Sequence, residues 1–122
     1  MATRPLVVIK LPGRGSQEAA LYKWTGLLNG DDGAYVEGVS LSDKSFQIFG
    51  TAGIGLAVVL EGDNSETADQ WFTVSKPDGT PLSLTVAPTG SQVLDHPFRL
   101  RPRVAGGNGS TDITAMLYVV GR

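Results

Sequence analysis

The 122-residue chain contains no cysteine and one histidine, His96. The first absence excludes disulfide scaffolds, thiolate metal sites and cysteine nucleophiles. The second leaves any imidazole chemistry to a lone residue in Leu94-Asp95-His96-Pro97, best read as a turn. A Ser-His-Asp arrangement has no Gly-x-Ser-x-Gly elbow to build on, and Asp95 and His96 are adjacent and so point different ways on an extended chain. Ten Lys and Arg against twelve Asp and Glu give a net charge of −2, without the basic surplus that polyanion binding draws on, so no nucleic-acid partner is expected. Long apolar runs are missing too. Runs such as Leu56 to Leu60 fall far short of the roughly 18 residues that cross a bilayer, so no membrane partner is expected. Leu6 to Ile9 is too short for a signal-peptide core, which predicts a chain made in the cytosol.

What the chain does have is turns. Sixteen Gly and seven Pro accompany only 18% charged residues, against about 25% in an average protein. A hydrophobic content of 41% is too high for disorder. One domain over 1–122 is expected, with residues 1–12 as its first strand or an extended N-terminal arm. Short apolar alternations recur between Gly, Pro, Asn and Asp clusters, the pattern of an all-β sandwich. The segments are Leu6–Ile9, Ala20–Thr25, Phe46–Phe49, Leu56–Glu61, Trp71–Val74, Leu82–Val86, Phe98–Val104 and Ile113–Val120, giving seven to nine short antiparallel strands. A helix between Ser16 and Leu28 is the rival reading, with Ser16 as its N-cap. Gly50 to Gly55 suits a hairpin loop joining the strands on either side. It lacks the Lys-Ser/Thr and the following helix of a phosphate loop. Leu82, Leu84 and Val86 are expected to face inward together.

The acidic stretch from Glu61 to Asp69 lacks the order of a calcium loop and is read as solvated. Asp31, Asp32, Glu37, Glu61, Asp78 and Asp95 include no pair that spacing singles out for glycoside chemistry. Arg99, Arg101 and Arg103 are more specific. Their period-2 spacing puts three guanidiniums on one strand face, with Phe98, Leu100 and Val104 on the other. Such a row either faces water or offers forks to carboxylates on a partner protein. Pro102 within it predicts an edge strand or a bulge. Trp24, Trp71, Tyr22 and Tyr35 would suit a carbohydrate-binding module if exposed, although Trp71 beside Phe72 reads more simply as core.

The order of turn motifs along the chain carries a resemblance. Trp24-Thr25-Gly26-Leu27-Leu28-Asn29-Gly30-Asp31-Asp32-Gly33, Ser42 to Gly53, Leu60-Glu61-Gly62-Asp63-Asn64 with Trp71, Asp78 to Leu82, Pro97 to Gly107 and Thr111-Asp112 together resemble the head decoration, or cement, proteins of tailed bacteriophages. The resemblance implies a jelly-roll-like β-sandwich on the outer capsid surface of the virion. There it would reinforce contacts between major capsid proteins and self-associate as a dimer or trimer, with no enzymatic activity and no cofactor or metal. A tail, baseplate or head-fibre module is the alternative. Leu6 to Leu11, with Leu6, Val8 and Lys10 alternating, would then add as a strand to a capsid subunit or sister copy, and Arg99, Arg101 and Arg103 would form a second contact.

Overall fold

A computed structural model describes residues 2–11, 19–37 and 43–121, the side chains of residues 10 and 11 excepted. It contains twelve strands and no helix among these residues: β1 (Thr3–Arg4), β2 (Leu6–Leu11), β3 (Ala19–Leu27), β4 (Asp32–Gly33), β5 (Val36–Glu37), β6 (Asp43–Thr51), β7 (Ala57–Asp63), β8 (Phe72–Thr73), β9 (Ser83–Leu84), β10 (Thr89–Gln92), β11 (Arg99–Gly106) and β12 (Asp112–Val120). Five of them are two-residue pairings, which is why the count exceeds the expected seven to nine. The alternative helix is replaced, over the described residues 19–27, by a nine-residue strand. The N-cap candidate Ser16 lies outside the described residues.

The strands form two mostly antiparallel sheets. One runs β1-β4-β11-β7-β8, with β5 also on β11 and β9 also on β7; the other runs β10-β6-β12-β3-β2. Period-2 alternation explains the packing between them. Trp24 and Leu27 from β3, Phe46 and Ile48 from β6, and Ile113, Ala115, Leu117 and Val119 from β12 are buried against Val58 and Leu60 from β7 and Leu100 and Val104 from β11. Removing any one of the large side chains costs about 2–5 kcal/mol in a core of this kind.

Three expectations are corrected by the way the chain moves between layers. Gly50 to Gly55 is not a hairpin: β6 and β7 lie in different sheets, and Gly50, Gly53 and Gly55 adopt φ of 122°, 69° and 79° to turn the chain across. Glycine takes those left-handed values without a Cβ clash, and a hairpin would have needed the same residues. Val86 is 61% exposed while Leu82 and Leu84 are buried, because the chain leaves β9 for β10 in the opposite sheet. Phe98, expected on the inner face with Leu100, is 48% exposed just ahead of β11.

Pro102 is neither on an edge strand nor at a bulge; β11 lies inside its sheet. Opposite Pro102, Leu60 bonds away from β11, donating to Leu82 and accepting from Val74. The missing N–H of Pro102 therefore falls on the β4 and β5 side. There β4 pairs only Arg103 and β5 pairs only Arg99 and Leu100. The proline is tolerated because Ala34 and Tyr35 leave the ladder opposite it. Gly33 completes the corner, since a Cβ there would lie 2.5 Å from the Trp24 ring and 2.8 Å from that of Pro102.

Candidate functional site

The gap left by Pro102 opens a groove on the outside of the β11 sheet. Its volume is about 300 Å³, and Thr3, Gly33, Tyr35, Ala68, Trp71 and Arg101 are among its lining residues. The Trp24 indole N–H donates to the Ala34 carbonyl at 2.8 Å and ties the departing segment to the core. In the same lining, the Trp71 indole N–H donates to the Ala68 carbonyl at 2.9 Å. Ala68 holds φ at 56°, a left-handed conformation that costs a non-glycine residue about 1–2 kcal/mol. Tyr35 and Trp71 meet with ring centroids 5.8 Å apart at 45°.

The arginine row forms the groove's electrostatic frame, and it does not stand free in water. Arg99 is 7% exposed; its Nε donates to Glu37 at 2.9 Å, its Nη1 to the Ser65 carbonyl, and Asp63 lies 3.7 Å away. Arg101 pairs with Glu61 at 3.0 Å and Asp32 at 3.2 Å. Arg103, 44% exposed at its side chain, makes only a 3.7 Å pair with Glu61. The guanidiniums also stack: Arg99 lies 4.9 Å from the Phe98 ring and 5.5 Å from that of Tyr35, and Arg101 lies 4.0 Å from that of Trp71. The result is a run of alternating aromatic rings and guanidiniums, Phe98, Arg99, Tyr35, Trp71, Arg101, with each contact of a kind that contributes most when desolvated.

This network corrects two readings. The stretch from Glu61 to Asp69 is not simply solvated, because Glu61 and Asp63 are buried. Asp63 organises the loop by accepting from the backbone N–H of Ser65 and, at 2.8 Å, of Gln70. Burial pushes the Asp63 carboxyl up, but the hydrogen bonds from Ser65 and Gln70 and the Arg99 charge outweigh it and hold it below the usual carboxylate range. Among the described residues no three acidic or histidine side chains gather as a metal site. Trp71 lies outside the core, in the groove wall, whereas Trp24 is fully buried and Tyr22 packs partly against the core. Of the four aromatic residues singled out, the fold brings Tyr35 and Trp71 together and removes Trp24. Of the six carboxylates, it brings Asp32 and Glu61 onto Arg101.

The second surface is an edge of the other sheet that no further described strand covers. β2 pairs with β3 along Leu6 to Leu11 and ends its sheet. Leu6 packs against the core, Val7, Val8 and Ile9 are 52%, 48% and 37% exposed, and the Lys10 side chain lies outside the described residues. Outward-facing neighbours continue the apolar strip in register: Ile9, Leu21 and Tyr118 form one row across β2, β3 and β12. The segment's N-terminal end is fastened to the first sheet. Asp31, buried at the end of the β3–β4 turn, accepts from the N–H groups of Ala2 and Leu28 at 2.8 and 2.9 Å and from Arg4 Nε at 2.8 Å. Burial raises the Asp31 carboxyl, yet these hydrogen bonds and the Arg4 charge bring it below the usual range.

His96, exposed in a loop, accepts from Lys44 Nζ at 2.5 Å. Lys44 occupies an inward position of β6, 4% exposed, and its burial lowers its pKa against the opposing effect of Asp43. No protein-family model matches the chain, and no curated protein matches it.

Proposed function

We propose that this chain is a structural virion protein that decorates the outer capsid surface of a tailed phage, cementing neighbouring major capsid proteins and self-associating as a dimer or trimer. The observation that carries the reading is the open edge of β2, an apolar strand with Val7, Val8 and Ile9 exposed and continuous with an apolar outer strip. Folded proteins ordinarily blunt such an edge with charge or proline. Here Pro5 and Lys10 flank the exposed centre and leave it open. An edge of this kind accepts a strand from a capsid subunit or from a second copy. Repetition over a closed shell lets weak individual contacts sum.

The jelly-roll form belongs to the same proposal. It is supported by repeated crossing between layers, since β6, β10 and β12 lie in one sheet while β7, β9 and β11 lie in the other. The sequence resemblance supports the capsid location, and the clip of Arg4 on Asp31 supports a preformed docking edge over a loose arm. The test is co-sedimentation of purified protein with phage heads that lack it, scored together with head stability. Saturation at a fixed ratio to the major capsid protein, with heads made more resistant to heat, is the expected result. Heads that neither bind the protein nor gain stability from it would overturn the reading.

A further inference from the structure

We infer that the groove lined by Tyr35 and Trp71 is a binding site for a neutral saccharide. Its volume of about 300 Å³ lies at the lower end of the roughly 300–1,000 Å³ typical of small-molecule sites, which limits the ligand to a sugar ring or two. Two touching aromatic rings line the groove, Tyr35 between β4 and β5 at 42% exposure and Trp71 just ahead of β8. Their tilt makes an angled apolar wall against which the C–H face of a pyranose packs.

The polar rim selects the charge of the ligand. Arg101 is the charged residue that lines the groove, and behind the lining it is held by Asp32 and Glu61, so its charge is already balanced within the chain. An anion in the groove meets a guanidinium already paired with two carboxylates, and a cation meets Arg101 already stacked on Trp71. A hydroxyl group suits such a lining because it accepts from the Arg101 guanidinium and donates to the Thr3 hydroxyl oxygen without bringing net charge. Asp32 is further oriented by the Thr3 hydroxyl at 2.6 Å, and Trp71 is fixed through the strained Ala68. The site is thus preorganised by contacts that do nothing for the core. Backbone strain held at a groove wall is the kind of cost that folds retain at binding sites.

The inference is independent of the capsid reading and is tested without heads. The intact protein is titrated with glucose, galactose, N-acetylglucosamine and chitobiose, and with N-acetylneuraminic acid as the anionic probe, following tryptophan emission. Trp24 is fully buried, so the titration is repeated in Trp71→Phe, where the change should disappear if it reports Trp71. Saturable change with a millimolar Kd for at least one neutral sugar is expected, with none for the anionic one. Tyr35→Ala, at an exposed position, should weaken it about tenfold, while Ile54→Ser, in a loop that does not line the groove, should leave it unchanged. No response to any neutral sugar up to about 100 mM, well beyond the millimolar range, would overturn the inference. So would preference for the anionic sugar. Loss of head binding in Tyr35→Ala with no sugar response would assign the groove to a protein contact instead.

Discussion

The outer faces of the two sheets solve the problem of exposure in opposite ways. On the β11 sheet, residues 64–71 and the run of arginines and aromatics cover the strands, and buried acidic groups find partners within the chain. On the β2 sheet, the last strand carries valines and isoleucine to the solvent, and no described strand pairs with its outer edge. One face is covered by its own chain, and the other is left open among the described residues. The rigid face frames a groove, and the open edge is where attachment is expected. The contrast predicts that substitutions on the first face register as stability and those on the second as association.

The largest effect should come from Arg99→Ala. It strips the buried partner from Asp63 and Glu37 and the donor from the Ser65 carbonyl. Breaking a buried pair by removing one member costs about 3–5 kcal/mol; here one partner is half-exposed, so about 3 kcal/mol in urea denaturation is expected. Arg103→Ala, four residues along on the same face but water-facing, should cost about 0–1 kcal/mol. Equal losses would show that the covering loop does not desolvate the network as described.

Asp31→Asn should cost about 2 kcal/mol, because three donors converge on one buried carboxylate and hydrogen bonds to charged groups contribute about 1.5–3 kcal/mol. Its pH dependence has a definite sign. The folded-state pKa lies below the ordinary value of 3.8, so the contribution is present above that value and is lost as pH falls through the lower folded pKa. Acid titration of stability should therefore be shallower in Asp31→Asn than in the parent. A parallel acid limb in the two proteins would remove Asp31 as an acid-sensitive anchor of the N-terminal strands.

The strands were legible from alternation, because a half-buried sheet imposes period 2 on Leu100, Pro102 and Val104, or on Ala115, Leu117 and Val119. Which strands pair was not. The loop from Gly50 to Gly55 has the glycines a hairpin needs, and the same left-handed residues carry the chain between layers. The arginine row was visible from its spacing, but its partners lie 62 and 40 residues away in Glu37 and Glu61, and no local pattern records them. Trp71 looked apolar enough for the core. Its place in the groove follows from a loop gathered onto Asp63 and from the ladder gap at Pro102. The only sequence signal for that gap was the proline itself, which pointed correctly to a missing ladder bond and not to its location.

A smaller effect is expected at the sandwich end where Lys44 meets His96. Replacing Lys44 with Met removes a charge that burial disfavours, and should raise stability at neutral pH by about 1 kcal/mol. The folded pKa of Lys44 is lowered below 10.5, so between the two values the unfolded chain binds more protons and the parent's stability rises with pH. The advantage of Lys44→Met should accordingly shrink as pH climbs toward 10.5. A constant advantage would mean that hydrogen bonding to His96, and not desolvation, governs the residue.

The smallest change in folding should accompany the largest change in assembly. Val7→Lys places a charge at a position 52% exposed, where substitutions usually move stability by no more than about 0.5 kcal/mol. The same charge at the centre of the open edge opposes strand addition, because a partner strand laid along β2 would have to desolvate it. Light scattering coupled to size exclusion should show the parent as a dimer or trimer and Val7→Lys as a monomer, with unfolding midpoints nearly superimposed. A variant that keeps its mass would place self-association elsewhere on the molecule. One that loses both mass and stability would show that the β2 edge is part of the fold's own support, and the division between a self-sufficient face and an unfinished one would fail.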